Sequence, residues 1–475
     1  MSSVQKNSVP RQKQAKFQIE IIWVALAIAI FGGFALALHL SFLIGFNLSL
    51  GKGFAGLIQT HGHLQLIGWA GLFIIGISLH FIPRLSSVPI SEFKPIKQIL
   101  WLIGGGLLLR LVSHTVLPYL EGHVLFVPID WLVATSGLIE WYGILIYLSL
   151  LIGTIWGIDD TSKRPGLLSI RPFFGMMVVG FFLYATVNMV LLIQMALNKN
   201  VVVNQGWNEF AIGAFTGMVL LPVAFAFSIR MFPLYLRLPA ADWGVHRVAY
   251  LYLIGFGLQM LTSIPLNLGW VTHYLSDAGM LVRGSVILYV VWKLDVLTRG
   301  QKPWTVHREL QPSPDRRPTR PNIPDYGEFG RFERLVYAAY AWLVLGALAE
   351  MLIGGFGLFR YPLSIGSDAV RHIYLLGFIT NLILGMAVRM IPGFIGKRQI
   401  ASTKLVDATF WLANTAAVGR VLILLLPSGV FEVIPAIAVI VETAFGLSGI
   451  LGLGAVVCLA VNLWKTAHVN HPKFS

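Results

Sequence analysis

Cysteine is nearly absent from this sequence, since Cys458 is the only one. A single thiol cannot form an intrachain disulfide, a Cys-x-x-Cys-His attachment for c-type haem or a thiolate cluster. Any protein-bound metal ion is therefore expected to be held by histidine, methionine or carboxylate side chains.

Charged residues are also scarce: they make up 12% of the chain, against about 25% in ordinary soluble domains. Hydrophobic residues make up 56%, and the mean hydropathy is +0.75. These values exclude an ordinary soluble domain and predict a multi-span protein in a lipid bilayer. The net charge of +14 would favour a nucleic-acid partner in a soluble protein. Here positively charged cytoplasmic loops account for most of it, so no nucleic-acid partner is expected.

Apolar runs of about 20 residues predict twelve transmembrane helices. With a cytoplasmic N-terminus, most of the 35 lysines and arginines fall in the inner segments. The first run is too long for a cleaved signal peptide and lacks an evident cleavage site, so it is expected to remain as the first helix. We predict a multi-pass membrane protein with both termini in the cytoplasm. The predicted spans are near 19–43, 55–83, 98–118, 134–157, 172–197, 209–233, 246–267, 274–297, 335–357, 371–394, 405–427 and 433–464.

One helix pattern recurs along the chain. His63 and His372 each precede an Ile-Pro pair, ending at Pro83 and Pro392, by the same interval. A third copy ends at Pro233, with Gly213 at the histidine position. The shared glycines are Gly68 and Gly377, and Gly76 and Gly385. The pattern predicts three four-helix units related by pseudo-threefold symmetry. The expected organisation is a cytoplasmic tail (1–16), a first unit (17–165), a second unit (166–298), a cytoplasmic loop rich in proline and arginine (299–334), a third unit (335–467) and a C-terminal tail (468–475).

Five histidines from four helices are predicted to share one layer near the outer surface: His39, His61, His63, His114 and His372. Histidine within a span is rare and marks a functional site by default, and neutral imidazole is the commonest metal ligand. For His39 and His114 an interfacial polar role is favoured, whereas the repeat favours metal ligation by the other three. Because residues two apart on a helix differ by about 200° in direction, His61 and His63 are expected to serve neighbouring sites, or one ligates while the other hydrogen-bonds.

Two arginines, Arg110 and Arg420, are predicted at nearly the same depth as these histidines. A buried guanidinium needs either a carboxylate partner or an anionic ligand such as a haem propionate, and the sequence leaves both open. Trp69 and Phe378 follow the repeated glycines and could wall a flat cofactor or serve helix packing.

The stretch from His61-Gly-His63 to Pro83 resembles the His-x-His helix of haem-copper oxidase and nitric oxide reductase catalytic subunits, whose two histidines ligate two haems. More widely, the chain is similar to the NnrS family of twelve-span bacterial membrane proteins. The late helix carries that family's leading histidine, His372, and its Gly-Met-x-x-Arg end, Gly385 to Arg389. The resemblance implies an inner-membrane protein with haem, expected to be haem b, and with copper as a second candidate cofactor. It also implies nitric oxide, or another small diatomic ligand, as partner in nitric oxide metabolism, denitrification or nitrosative stress.

Haem-copper oxidases hold copper with histidines on the sixth and seventh helices. Here spans 6 and 7 contain no histidine except His246 at the inner start of span 7, which argues against a dioxygen reductase of the usual kind. The leading hypothesis is a haem-binding protein with axial ligands drawn from His61, His63 and His372, and with Arg110 and Arg420 beside the cofactor. If it is an enzyme, it is expected to be an oxidoreductase acting on nitric oxide, with an electron donor that the sequence does not identify. The alternatives are a redox protein like the oxidase and reductase subunits, a permease without cofactor, and an assembly factor. Asn188, Asn381 and Asn414 would line the substrate path of a permease.

Overall fold

The computed structural model describes residues 16–86, 94–156, 165–264, 269–300, 327–361, 365–426 and 434–468, with the single positions 88, 90 and 363. Within these ranges the regular structure is helical, and no β-strand occurs. The predicted N-terminal tail, the Pro- and Arg-rich loop and the C-terminal tail lie almost wholly outside the described residues.

Twelve main helices follow one another in the described ranges, and we number them in chain order. A single turn at Pro165–Leu168 stays unnumbered. The helices are α1 (Ile19–Gly45), α2 (Phe54–Ser86), α3 (Lys94–Leu120), α4 (Phe126–Ile155), α5 (Arg171–Asn198), α6 (Gln205–Leu236), α7 (Val245–Gln259), α8 (Trp270–Leu294), α9 (Phe332–Leu358), α10 (Ser367–Phe394), α11 (Thr403–Leu425) and α12 (Ala436–His468).

Eleven of these helices are long and apolar enough to cross a membrane. The exception is α7, which has 15 residues and continues only as a 3-10 turn, Met260–Ser263. The predicted span 246–267 is therefore shorter as a helix than its hydropathy indicated. The all-α, multi-span membrane fold is confirmed, whereas twelve membrane crossings and cytoplasmic termini stay predictions.

Three helices form the inside of the bundle. In α2, α6 and α10, 78%, 67% and 78% of the most apolar window is buried, against 33–50% in the other spans. The remaining helices surround them: α12 packs on α1 and α11, α4 on α3 and α5, and α8 on α7 and α9. The inner helices are the three that carry the repeated pattern. Their equivalent places support the division into three units, which stays a prediction.

The repeated glycines let α2 and α10 each approach the first helix of its predicted unit. A Cβ on Gly68 would lie 2.4 Å from Ile28 Cγ2 of α1, and a Cβ on Gly377 would lie 2.7 Å from Trp342 Cγ of α9. Close backbone approach is the usual reason for small residues at membrane helix interfaces. These two glycines therefore serve helix packing.

Each inner helix contains a π-helical segment at a corresponding place. The segments are Leu64–Gly71 in α2, Thr216–Leu220 in α6 and Ile373–Thr380 in α10. In α2 and α10 the segment begins directly after the repeated histidine. Since π-turns shift the backbone register and often occur at functional sites, this position marks both histidines structurally.

Candidate functional site

The outer-layer histidines do not form one cluster, because α2 sends its two histidines to different sides. His61 lines a large cavity, whereas His63 is 4% exposed and lies in a separate polar network. His372 lines the same cavity as His61. His39 is exposed on α1 and does not line the cavity, although its neighbours Ala37 and Leu40 do.

The cavity has a volume of about 1100 Å³. It is bounded by α1, α2, α10, α11 and α12, and also by the end of α5, the start of α6 and the loop between them. We call it the α2–α10 cavity. Trp69 forms part of its wall, and its indole nitrogen donates to Thr380 Oγ1 of α10 at 3.4 Å. Phe378 is fully buried instead and packs edge-on against Tyr340. Of the two aromatic residues considered as cofactor walls, only Trp69 therefore reaches this space.

The two cavity histidines are held in the same way. His61 Nδ1 lies 2.8 Å from the carbonyl oxygen of Gly33, and His372 Nδ1 lies 2.8 Å from that of Asp368. A carbonyl oxygen only accepts, so in each ring Nδ1 carries the proton and Nε2 keeps its lone pair. Metal-binding histidines usually donate their other ring N–H to a carbonyl or carboxylate in this manner. Both imidazoles are therefore in the tautomer that binds a metal through Nε2.

The carbonyl that holds His61 comes from an irregular part of α1. Gly33 belongs to a π-helical segment, Ala29–Phe34, packed against the π segment of α2. Sequence reasoning missed Gly33, although the adjacent Gly32-Gly33 pair was a signal of irregular backbone.

Arg420 of α11 reaches the cavity beside His372. Its Nε donates to His372 Nε2 at 3.3 Å, and its guanidinium lies 4.3 Å from the ring centroid of Phe445. Its Nη1 is buried without a hydrogen-bond partner among the described residues. A buried, incompletely paired guanidinium beside a cavity favours an anionic ligand group.

A polar clamp holds the π segment of α10 in place. Asn381 is fully buried, and its Nδ2 donates to the carbonyl of Gly377 at 2.9 Å. Asn414 of α11 donates to Asn381 Oδ1 at 3.2 Å and accepts from Trp342 Nε1 of α9 at 3.1 Å. Two of the asparagines considered for a permease path thus fasten three helices together.

The second chemistry-bearing region is the α2–α5 network, formed by His63, Arg110, His114, Glu140 and Tyr184. His63 Nε2 lies 2.7 Å from Glu140 Oε2, and its Nδ1 lies 2.9 Å from the hydroxyl of Tyr184. His114 accepts from Arg110 Nε at 3.2 Å and bonds the carbonyl of Val201 at 3.0 Å. All ring nitrogens of these two histidines therefore already have protein partners. The network holds Arg110 away from the α2–α10 cavity, beside which it was expected.

A third polar cluster joins α7, α8, α9 and α10. Arg283 Nη1 lies 3.4 Å from Glu350 Oε1 and donates to Gln259 Oε1 at 2.5 Å. The guanidinium also lies 5.5 Å from the ring centroids of Phe256 and Tyr374. Arg283, a third buried arginine, is thus paired with a carboxylate, that of Glu350 in α9.

A protein-bound copper ion needs several donor side chains close together. Across the part of the chain that the structure describes, no group of three or more His, Cys, Asp or Glu side chains is placed to hold a metal ion. The cavity offers two imidazoles, which is the donor set of a haem iron with two axial histidines and not that of a three-ligand copper site.

Comparison with known proteins gives a structural likeness only. No family model matches the chain, and no curated protein matches it. A solved structure described as a cryo-EM structure of a heme-copper terminal oxidase dimer matches with a TM-score of 0.60 and 12% identity, covering 96% of this chain and 84% of the other. The chain is thus similar in fold to a haem-copper terminal oxidase. The fold-level part of the predicted resemblance is confirmed, and membership of the NnrS family stays a prediction.

Proposed function

We propose that this chain is a haem-binding redox protein of the membrane, with His61 and His372 as the two axial ligands. The observation that carries the proposal is that both imidazoles line one cavity, each with its Nδ1 proton bound to a backbone carbonyl. A haem iron held in this way supplies reversible one-electron transfer. The chain has no Cys-x-x-Cys-His motif for c-type haem, and the sequence resemblance leads us to expect haem b.

The protein's own groups would orient and stabilise the cofactor. Gly33 and Asp368 fix the planes of the two imidazoles through their carbonyl oxygens. Arg420 would face the anionic edge of the macrocycle with its unpaired Nη1, and Trp69 would pack on its apolar part. His63 and His114 are excluded from ligation in this proposal, because neither lines the cavity and both are held in the buried α2–α5 network.

We further propose, on the sequence resemblance, a place in the bacterial inner membrane and in nitric oxide metabolism or the response to nitrosative stress. The fold is compatible with a role like that of oxidase or nitric oxide reductase subunits. The three-ligand copper site of such a protein is not part of the proposal, because its donors are not found among the described residues.

Spectroscopy of the purified protein tests the proposal. Protein expressed with haem available should show a Soret band and the low-spin spectrum of two axial histidines, and the pyridine haemochrome should identify haem b. His61→Ala and His372→Ala should each abolish the low-spin spectrum, whereas the matched control His39→Ala should leave it unchanged. A colourless wild-type protein would favour a permease or an assembly factor and would overturn the proposal.

A further inference from the structure

The two proposed ligands differ in the hydrogen-bond partner of Nε2, the atom that would bind iron. His372 Nε2 accepts a hydrogen bond from Arg420 Nε at 3.3 Å, whereas His61 Nε2 has no hydrogen-bond donor among the described residues. The atom of His372 that would bind iron thus has a second, competing partner built into the protein.

The helices that carry the two ligands differ as well. His61 lies within the ten-residue α-helical start of α2, between the fully buried Thr60 and the nearly buried His63. His372 ends a six-residue start of α10, Ser367–His372, in which only Ala369 is buried. Because local opening follows the number of buried contacts, His372 is the ligand that moves at lower cost.

An iron with two axial histidines has no free coordination position, so a small ligand can bind only if one histidine leaves. We propose that His372 is the displaceable ligand, so that a neutral diatomic molecule would bind iron on the α10 side of the cavity. Arg420 would be its latch, meaning the hydrogen-bond donor that holds the imidazole of His372 after it has left the iron. This inference rests on the proposed haem site and names the class of ligand that it accepts.

The exchange balances without proton or net electron transfer. On displacement, His372 would leave the iron with its electron pair on Nε2, and Nε2 would then accept the Arg420 Nε–H hydrogen bond. The incoming molecule would supply its own electron pair to the iron in place of the imidazole. His61 would remain bound, since its Nε2 has no competing donor among the described residues and the start of α2 around it is more buried than the start of α10.

Carbon monoxide binding to the reduced, haem-loaded protein tests the proposal. Wild-type protein should bind carbon monoxide. The spectrum of its complex should match that of His372→Ala and differ from that of His61→Ala, because His61 would be the remaining protein ligand in the wild-type complex and in His372→Ala alike. The opposite match would overturn the assignment of the displaceable ligand.

The latch is tested by its own variant. Arg420→Leu removes the charge-assisted hydrogen bond that would hold the released imidazole, so in protein matched for haem content the affinity for carbon monoxide should fall about tenfold. Arg420→Lys, which keeps a donor, should restore part of it. The control Arg110→Leu removes the other buried arginine that contacts a histidine and should leave carbon monoxide affinity unchanged. An unchanged affinity in Arg420→Leu would refute the latch, whereas a wild-type protein without a low-spin haem spectrum would refute the proposed function itself.

Discussion

The α2–α10 cavity and the α2–α5 network contain the same repeated histidine and a neighbouring arginine, yet only one of them is open. In the cavity His372 faces Arg420 and empty space, whereas in the network His63 is closed in by Glu140 and Tyr184. The repeated histidine is therefore not sufficient for the candidate haem site. Such a site also needs a second histidine from another inner helix and an open cavity that both histidines line.

The register of the inner helices explains why only one pair forms. His63, Gly213 and His372 occupy equivalent positions, and the residues two positions earlier are His61, Ala211 and Val370. Those earlier positions point to the other side of each helix, as the opposite environments of His61 and His63 show. Only α10 and α2 therefore present histidines to each other, and α6 supplies none to either neighbour.

The largest expected effect is a loss of stability when the α2–α5 network is disrupted. Glu140→Ala leaves His63 and Arg110 buried without a carboxylate, and removing one partner of such a pair costs about 3–5 kcal/mol of stability. Thermal unfolding in detergent should show this loss, while protein that remains folded should keep its haem spectrum. Glu140→Gln, which keeps an acceptor for His63, is the control and should lose much less. A changed haem spectrum in folded Glu140→Gln would mean that the two regions are not separate.

A smaller effect is expected from the clamp on α10. Asn381→Ala leaves the carbonyl of Gly377 without its donor and costs about 1–3 kcal/mol. Because the π segment sets the direction of His372, the low-spin haem signal in electron paramagnetic resonance should also shift. Asn381→Ser restores a donor to the same carbonyl one turn earlier and should recover the wild-type signal. If both variants gave the wild-type signal, the clamp would not orient His372.

Overpacking of an inner helix should cost a comparable or smaller amount. Gly377→Ala places a methyl group 2.7 Å from Trp342 and should destabilise the protein by about 1–3 kcal/mol. Gly105→Ala, on the exposed side of α3 with no atom within 4 Å of the new group, is the matched control. Equal unfolding temperatures for the two variants would contradict the close packing of α9 on α10.

The smallest expected effect is at His39, the outer-layer histidine that lies outside both regions. His39→Ala should change neither haem content nor unfolding temperature by a measurable amount, because His39 is exposed and outside both regions. The absorbance ratio of haem to protein and a thermal scan measure this. A loss of haem in this variant would show that α1 contributes a ligand and that the two-histidine site is incomplete.

Much of the site was predictable from residues alone, and its failures have a common cause. His372 was identified from the repeat and His61 from the His-x-His pair, and the separate directions of His61 and His63 followed from helix geometry. The grouping of Arg110 with Arg420 rested on depth along the membrane normal. Depth does not report position around the bundle, and the two arginines lie in different regions.

Hydropathy and the His-to-Pro spacing are local properties of the chain, so they were enough to predict a helical membrane protein with a recurring helix pattern. The position of the recurring helices inside the bundle came from the structure. The tertiary structure alone decided which histidines meet, which arginine joins them and which space stays open. Those outcomes depend on the π-turns that set the direction of each side chain and on side chains from distant helices, such as Glu140 and Tyr184, that fill one space and leave the other.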